Sequence, residues 1–363
     1  MVTWLDLPAI DSLDDPEWGW AYQACSWLAR LNSEARFGNR DMGQAARTFW
    51  AERRDDGDVD PFLTLGLDGP PGRVESAAAL GWATHERAAN QDKAEITVEV
   101  RPDLADSTIG DDLLARFEDN ARRAGRTTAI LVADFSPGED RAPYLTTADG
   151  TTVPTEAWPV ALGLRRGYQL GQAERMSRLD LPMDQAVHDR LLAEAVPAAA
   201  AYRLHLWTDG IPVEWRQGYA DLRATFISES PNGDIVWQDE VWDVDRVVRW
   251  EQTKYSGGNV PIIAAAEDPA TGHLVGVSGL AYRDDGKPSA GQGVTLVLRA
   301  HRGHHLGVWL KLATHDALVA ESPTTERIYT ENAQENQHML AINVAMGFYP
   351  YGGSGAMYKS LSA

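Results

Sequence analysis

The stretch VTLVLRAHRGHHLGVWLK, Val294 to Lys311, gathers side chains that can hold an anion. Arg299, Arg302, His301, His304, His305, Gly303 and Gly307 stand between a β-branched run and an apolar helical run. A helix front carries unpaired backbone N–H groups and a partial positive charge. Glycines let that backbone approach a ligand with no Cβ in the way. Strand, tight loop and helix in this order suit a pyrophosphate, with Gly303 and Gly307 placed for close approach. The plainer alternative is a surface loop that carries histidine and arginine for no special reason. Other phosphate-binding patterns fit less well: there is no G-x-x-x-x-G-K-[ST] run and no G-x-G-x-x-G after a first strand. The HRGHH loop has no acidic ligand beside it, so no metal is expected.

The surrounding chain has the opposite charge. It has 33 Lys and Arg against 53 Asp and Glu, a net charge of −20. Such a surface repels nucleic acid and anionic lipid, so neither is expected as a partner. It would attract amines, although acidity alone also serves solubility. With 363 residues, 44% hydrophobic, two domains with real cores are expected. The single cysteine, Cys25 in AYQACSWLARL, reads as a small core residue and excludes an internal disulfide. The N-terminal residues lack the basic start and apolar centre of a signal peptide, and no run approaches the roughly 18 apolar residues of a membrane span. The expectation is a soluble, cytoplasmic protein.

The elements that must position the loop occur twice. PFLTLGLDGPPGRVESAAALGWATHE (Pro61 to Glu86) and PIIAAAEDPATGHLVGVSGLAYRD (Pro261 to Asp284) each read as a β-hairpin whose turn begins at an aspartate, Asp68 or Asp268. Strand, loop and helix follow in each half, then GRTTAILVAD or TTERIYTENA as a further strand, then a Gly-aromatic pair and a closing strand. Four matched elements in one order imply a duplication: α/β domains at 1–182 and 183–363. Residues 136–155, rich in Pro, Gly, Thr and Asp, read as a long loop or lid. Asp184 is placed to cap a helix at the join. GIPVEWRQGYADLRATFISES and DVDRVVRWEQTKYS read as helices, and 304–321 as a helix with Leu306, Leu310, Ala313 and Ala317 on one face.

The loop Arg302-Gly303-His304-His305-Leu306-Gly307 resembles the acyl-CoA motif of GNAT-type N-acetyltransferases, Gln/Arg-x-x-Gly-x-Gly/Ala, with His305 where the first glycine is usual. NAQENQHMLAINVAMGF resembles the family's second motif, matching at Asn336 and Gly347-Phe348. The whole is similar to tandem GNAT proteins, the arrangement of mycothiol synthase. The resemblance implies two GNAT-like domains, each a mixed, twisted, mostly antiparallel sheet flanked by helices, whose fourth and fifth strands splay to admit a pantetheine arm. It implies acetyl-CoA as co-substrate and a small-molecule amine as acceptor. Thr295, Leu296 and Val297 would face the pantetheine and acyl carbonyl, and a main-chain N–H near Val297 would hold the oxyanion. Residues 303–308, with Val308 last, would hold the pyrophosphate beside Arg302, and Asn336 would bond the pantetheine.

Attack by a neutral amine needs a base. Glu331, at the end of the fifth strand, matches the base position of some family members and reads equally well as a solvated strand-end carboxylate. Glu240, Asp243 and Glu251 stand behind it. Many members use a tyrosine four residues before the closing Gly-Phe as acid. Here that residue is Asn343, which cannot supply a proton, leaving Tyr329, Tyr349, Tyr351 or water. The first domain's loop, Ala105 to Gly110, lacks the arginine, and Asp103, Asp106, Asp111 and Asp112 put negative charge around it. It is expected to bind the coenzyme poorly or not at all. A catalytically silent acyl-CoA-binding or regulatory protein, and acylation of a cysteinyl amino-sugar, are the alternatives. The oligomeric state is not legible.

Overall fold

The computed structural model describes residues 2–54, 57–147 and 150–362. In chain order the elements are β1 (Thr3–Asp6), α1 (Gly19–Phe37), α2 (Ala46–Glu52), β2 (Val59–Leu67), β3 (Ala77–Glu86), β4 (Lys93–Val100), α3 (Ile109–Arg123), β5 (Thr128–Phe135), β6 (Tyr144–Thr146), β7 (Thr152–Pro154), α4 (Trp158–Arg165) and β8 (Gln169–Asp180). They continue with α5 (Gln185–Ala198), β9 (Arg203–Trp207), α6 (Arg216–Ala224), α7 (Val244–Ser256), β10 (Asn259–Asp268), β11 (His273–Arg283), β12 (Ser289–Val297), α8 (Leu306–Glu321), β13 (Arg327–Ala333), α9 (Gln337–Ala345) and β14 (Tyr349–Ser360).

The chain forms two compact units. One holds the residues up to Glu174 with Gly233–Val236 and everything from Gly352; the other holds Arg175–Asn232 and Trp237–Tyr351. A single division at 182 therefore does not describe the contacts: 175–182 lie with the second unit and the C-terminal strand with the first. The physical reason is a long-range ladder. Gly353–Ser360 of β14 runs antiparallel to Thr128–Phe135 of β5 inside the first unit.

The topologies of the two units match. In the first, β1 to β4 pair antiparallel in sequence and β4 pairs parallel with β5. In the second, β9 to β12 pair antiparallel and β12 pairs parallel with β13. Helices cover the faces, so strands such as Ile262–Ala266 are buried on both sides and read as unbroken apolar runs. In the first unit, Tyr22, Cys25, Leu28, Leu65 and Leu80 form one core cluster, and Ile96, Leu114, Phe117 and Leu131 form another. Burial raises the Cys25 thiol far above its ordinary range, consistent with an inert core residue. In the second unit, α8 and α5 cover one face through Leu312, Leu318, Ile328, Leu191 and Phe348, and α6 and α7 cover the other through Tyr219, Leu222, Val247 and Trp242.

Local signals act as their chemistry requires. The Asp184 carboxylate accepts from the Ala186 and Val187 N–H groups at 2.8 and 3.0 Å, an N-cap of about 1 kcal/mol. Residues 136–155 are not a bare loop, because β6 and β7 pair as a short antiparallel hairpin; residues 148 and 149 lie outside the described residues. Among the described residues no helix is long and apolar enough to cross a membrane.

Candidate functional site

The second unit builds a cleft by parting two parallel strands. The β12–β13 ladder runs from Ser289–Arg327 to Gln292–Thr330 and stops, while β12 continues to Val297. Opposite β11, two residues, Gly293 and Val294, stand against the single residue Gly279, and this bulge bends β12 where the ladder ends. The Leu298 N–H donates to the Val275 carbonyl on β11 at 3.0 Å. Backbone polar groups alternate along a strand, so the Val297 N–H and C=O face the other edge, the one β13 has left. An N–H on such an edge can donate to a ligand's oxygen.

The predicted donor-strand residues divide by side chain. Leu296 is buried in the core with Trp207 and Tyr219, so it offers the cleft main chain only. The Thr295 hydroxyl is bonded to that of Ser278 at 2.9 Å. Val297 packs on the α8 side with Leu306 and Leu310.

At the helix front the backbone takes an unusual course. Gly303 has φ +85° with nothing near its missing Cβ, and His305, the N-cap of α8, is left-handed at φ 54°. A non-glycine residue there costs about 1–2 kcal/mol, so His305 occupies a position suited to glycine. At Gly307 an added Cβ would meet Ile342 at 3.4 Å. Val308 and Leu306 are buried and anchor the first turn. Arg302 is less available than its sequence position suggests. Its Nε donates to the Val297 carbonyl at 3.0 Å and its Nη2 to the Glu229 carboxylate at 2.5 Å. His301 bonds the Tyr202 hydroxyl at 3.1 Å, and His304 lies 5.5 Å from that ring.

The side chains beyond the end of the ladder sort by strand alternation. Glu331 is exposed on the face that also carries Tyr329, whose ring lies 5.6 Å from Tyr351. The Tyr349 hydroxyl donates to the Asp180 carboxylate at 3.0 Å, and burial, then that bond, raise its pKa. Asn336 caps α9, its Oδ1 accepting from the Met339 N–H at 3.2 Å. The other acidic candidates hold structure together. Asp243 caps α7 through the Arg246 N–H, and Glu240 accepts from Trp242 Nε1 and Arg246. Buried Glu251 accepts from the Ile211 N–H at 2.6 Å.

Sequence reasoning missed a buried polar chain on the opposite face. Lys311, 1% exposed, donates to Asn343 Oδ1 at 2.6 Å, and Asn343 Nδ2 donates to Asn332 Oδ1 at 2.7 Å. Burial lowers Lys311 to about 7. One turn further along, buried His315 contacts Gln292 Oε1 at 3.1 Å, while Gln292 Nε2 donates to the Gly279 carbonyl at 2.6 Å. Burial, then the nearby Lys311 charge, lower His315 to about 3. A signal was present: Val308, Lys311, Leu312, His315 and Leu318 share helical spacing, so Lys311 and His315 stand at core positions.

The first unit has the same parted strands with different contents. Its β4–β5 ladder stops at Ile96–Leu131. Beyond that point Asn32 of α1 donates to Glu99 at 3.0 Å, and Arg36 of α1 donates to the Asp134 main-chain carbonyl and to Glu139. Burial raises Glu99 to about 7. At the front of α3, Trp158 lies across Gly110, where an added Cβ would meet its ring at 2.8 Å, and its indole N–H donates to the Ala105 carbonyl. Among the described residues no group of three or more His, Cys, Asp or Glu side chains is arranged to hold a metal.

No protein-family model matches the sequence, and no curated protein matches it. Solved structures do. A tandem GNAT protein from the clavulanic acid biosynthesis pathway, solved without acetyl-CoA, aligns over 100% of this chain and 99% of its own, with TM-score 0.72 and 23% identity. A GCN5-related N-acetyltransferase from Sphaerobacter thermophilus aligns over 99% and 96%, with TM-score 0.59 and 13% identity. At such identities the likeness is one of fold.

Proposed function

The chain has the tandem GNAT fold, and on that premise we propose that it is an acyl-CoA-dependent N-acyltransferase, with acetyl the simplest acyl group, working in the second unit. The observation that carries this is the open edge of β12. Its ladder with β13 ends at Gln292, the Val297 N–H faces the gap, and a glycine-bearing helix front with a left-handed N-cap lies just beyond. An extended amide-bearing arm fits an unpaired strand edge, and a pyrophosphate fits the front of α8, where Gly303 and Gly307 leave the main chain accessible. The first unit has the parted strands as well, but α1 side chains stand beside them and Trp158 covers its helix front.

The chain's own groups then take these roles. The Val297 N–H stabilises the negative charge that develops on the acyl oxygen. Glu331 takes the proton of the attacking amine. The amine, a small molecule, forms its bond to the acyl carbon as the C–S bond breaks. Asn343 cannot act as an acid, which favours one other reading: a protein that binds acyl-CoA without turnover. Isothermal titration with acetyl-CoA, followed by free-thiol release with a panel of primary amines and a cysteinyl amino-sugar, separates the readings. Binding with thiol release supports transfer, binding alone supports the silent protein, and no binding refutes both.

A further inference from the structure

We propose that Lys311 is a positioning residue that delivers positive charge, through Asn343 and Asn332, to the thiolate released in the second unit's cleft. This rests on the acyl-transfer reading above. A fully buried ammonium is costly unless it is paired, and replacing such a group by an apolar one of similar size is often neutral or stabilising. Among the described residues Lys311 has no carboxylate partner. It has one neutral acceptor, Asn343 Oδ1 at 2.6 Å, and the Phe348 ring at 5.3 Å. The missing element is an anion, and the hydrogen-bond chain indicates where one belongs.

The direction of that chain is fixed chemically. An ammonium only donates, so Asn343 must turn its oxygen to Lys311 and its amide N–H to the next group. That group is Asn332, whose oxygen accepts, leaving the Asn332 –NH2 as the outer donor. Asn332 is half-buried and lies two residues past the last β12–β13 pair, at the opened part of β13. Three linked groups therefore run one way, from a buried cation to an amide on the part of β13 beyond the ladder. Such chains polarise one another. The other groups facing Lys311 do not neutralise it: His315 of its own helix is held uncharged, and Phe348, ahead of β14, is apolar.

The step balances without passing a proton through an amide. The C–N bond forms, the C–S bond breaks, and its electron pair leaves on sulfur. The amine's proton goes to Glu331, and the thiolate, held by the Asn332 donor, takes a proton from water. With Lys311 neutral the donor chain loses its charge, so turnover falls as pH rises through the lysine's titration.

The test compares wild type, K311M, K311R and N332A by calorimetric acetyl-CoA affinity and by thiol-release kinetics from pH 6 to 10. K311M is expected to keep acetyl-CoA Kd within twofold while kcat falls at least tenfold. The alkaline decline of the wild-type kcat profile should disappear. K311R, charged throughout, should recover much of kcat and also lack that decline. N332A removes the outer end of the chain at a half-buried position and leaves Lys311 and Asn343 in place, so it should lose kcat like K311M, and it carries the test if K311M does not fold. Wild-type kcat and pH profile in K311M, or in N332A, overturn the role of Lys311 alone. A wild type that neither binds acetyl-CoA nor releases thiol overturns the acyl-transfer reading and this inference with it.

Discussion

Replacing Lys311 by methionine should change how stability depends on pH, whether or not the protein is an enzyme. Lysine titrates at 10.5 ordinarily, and burial lowers Lys311 to about 7 in the folded chain. Between those values the unfolded chain holds a proton on this group that the folded chain does not. Stability of the wild type therefore rises with pH across that window. The cost of burying the charge is fully present below about 7 and vanishes above the unfolded value. A tenfold difference in proton affinity between the folded and unfolded chains is worth about 1.4 kcal/mol. Integrated from pH 7 to pH 9, the linkage gives the wild type about 2 kcal/mol relative to K311M. Other titrating groups are common to both proteins and cancel in the difference, and His315 titrates well below the window. Urea unfolding at pH 7, 8 and 9, with equal m-values for the two proteins, measures it. K311M should be the more stable protein at pH 7, with its margin shrinking steadily toward pH 9. A margin that stays flat would mean that Lys311 is solvated or paired, and the reasoning from an unpaired buried cation would fail.

Three further outcomes are expected. Glu331→Gln should lower turnover steeply at neutral pH and leave acetyl-CoA affinity almost unchanged; unaltered turnover removes Glu331 as the base. His305→Gly should raise stability by about 1 kcal/mol in urea unfolding, because the left-handed N-cap then fits its residue; a loss of stability would show that the imidazole contributes more than the backbone costs. Calorimetry should give one acetyl-CoA per chain, and a stoichiometry of two would refute the assignment of the coenzyme to the second unit alone.

The hairpins are legible in the sequence because Asp68 and Asp268 open turns between apolar runs, and the pairings appear as expected. The helix after HRGHH is legible from its spacing, and its left-handed start from a histidine at a glycine position. The place of the last strand is not. Gly353–Ser360 reads as a generic closing strand, and only its ladder with residues more than two hundred positions earlier assigns it to the first unit. The polar core is hidden for another reason. Counting Leu306, Leu310, Ala313 and Ala317 as the buried face of α8 leaves Lys311 and His315 looking solvated. A helix packed on two sides buries a wider arc, and 308, 311, 312 and 315 lie inside it. Arg302 looks free in the sequence for a similar reason, since the Glu229 that engages it is distant along the chain.

The two helix fronts argue why one duplicated half would keep a ligand and the other would not. Both follow a strand that runs on past the end of its parallel ladder, so both inherit an unpaired edge. Such an edge is costly when it is buried without partners. In the first unit side chains from α1 stand beside the parted strands, Arg36 donating to the Asp134 carbonyl of β5 and Asn32 to the Glu99 carboxylate of β4, and Trp158 covers Gly110. Asp106 and Asp112 further oppose an anion there, while Asp103 and Asp111 are paired with Arg101 and Arg165. In the second unit the helix front keeps Gly303 uncovered, Val297 turns its N–H to the gap, and a buried lysine stands without an anion among the described residues. On the acyl-transfer reading, an anionic, amide-bearing ligand would complete the second unit's edge, whereas in the first unit the chain's own side chains stand beside the parted strands.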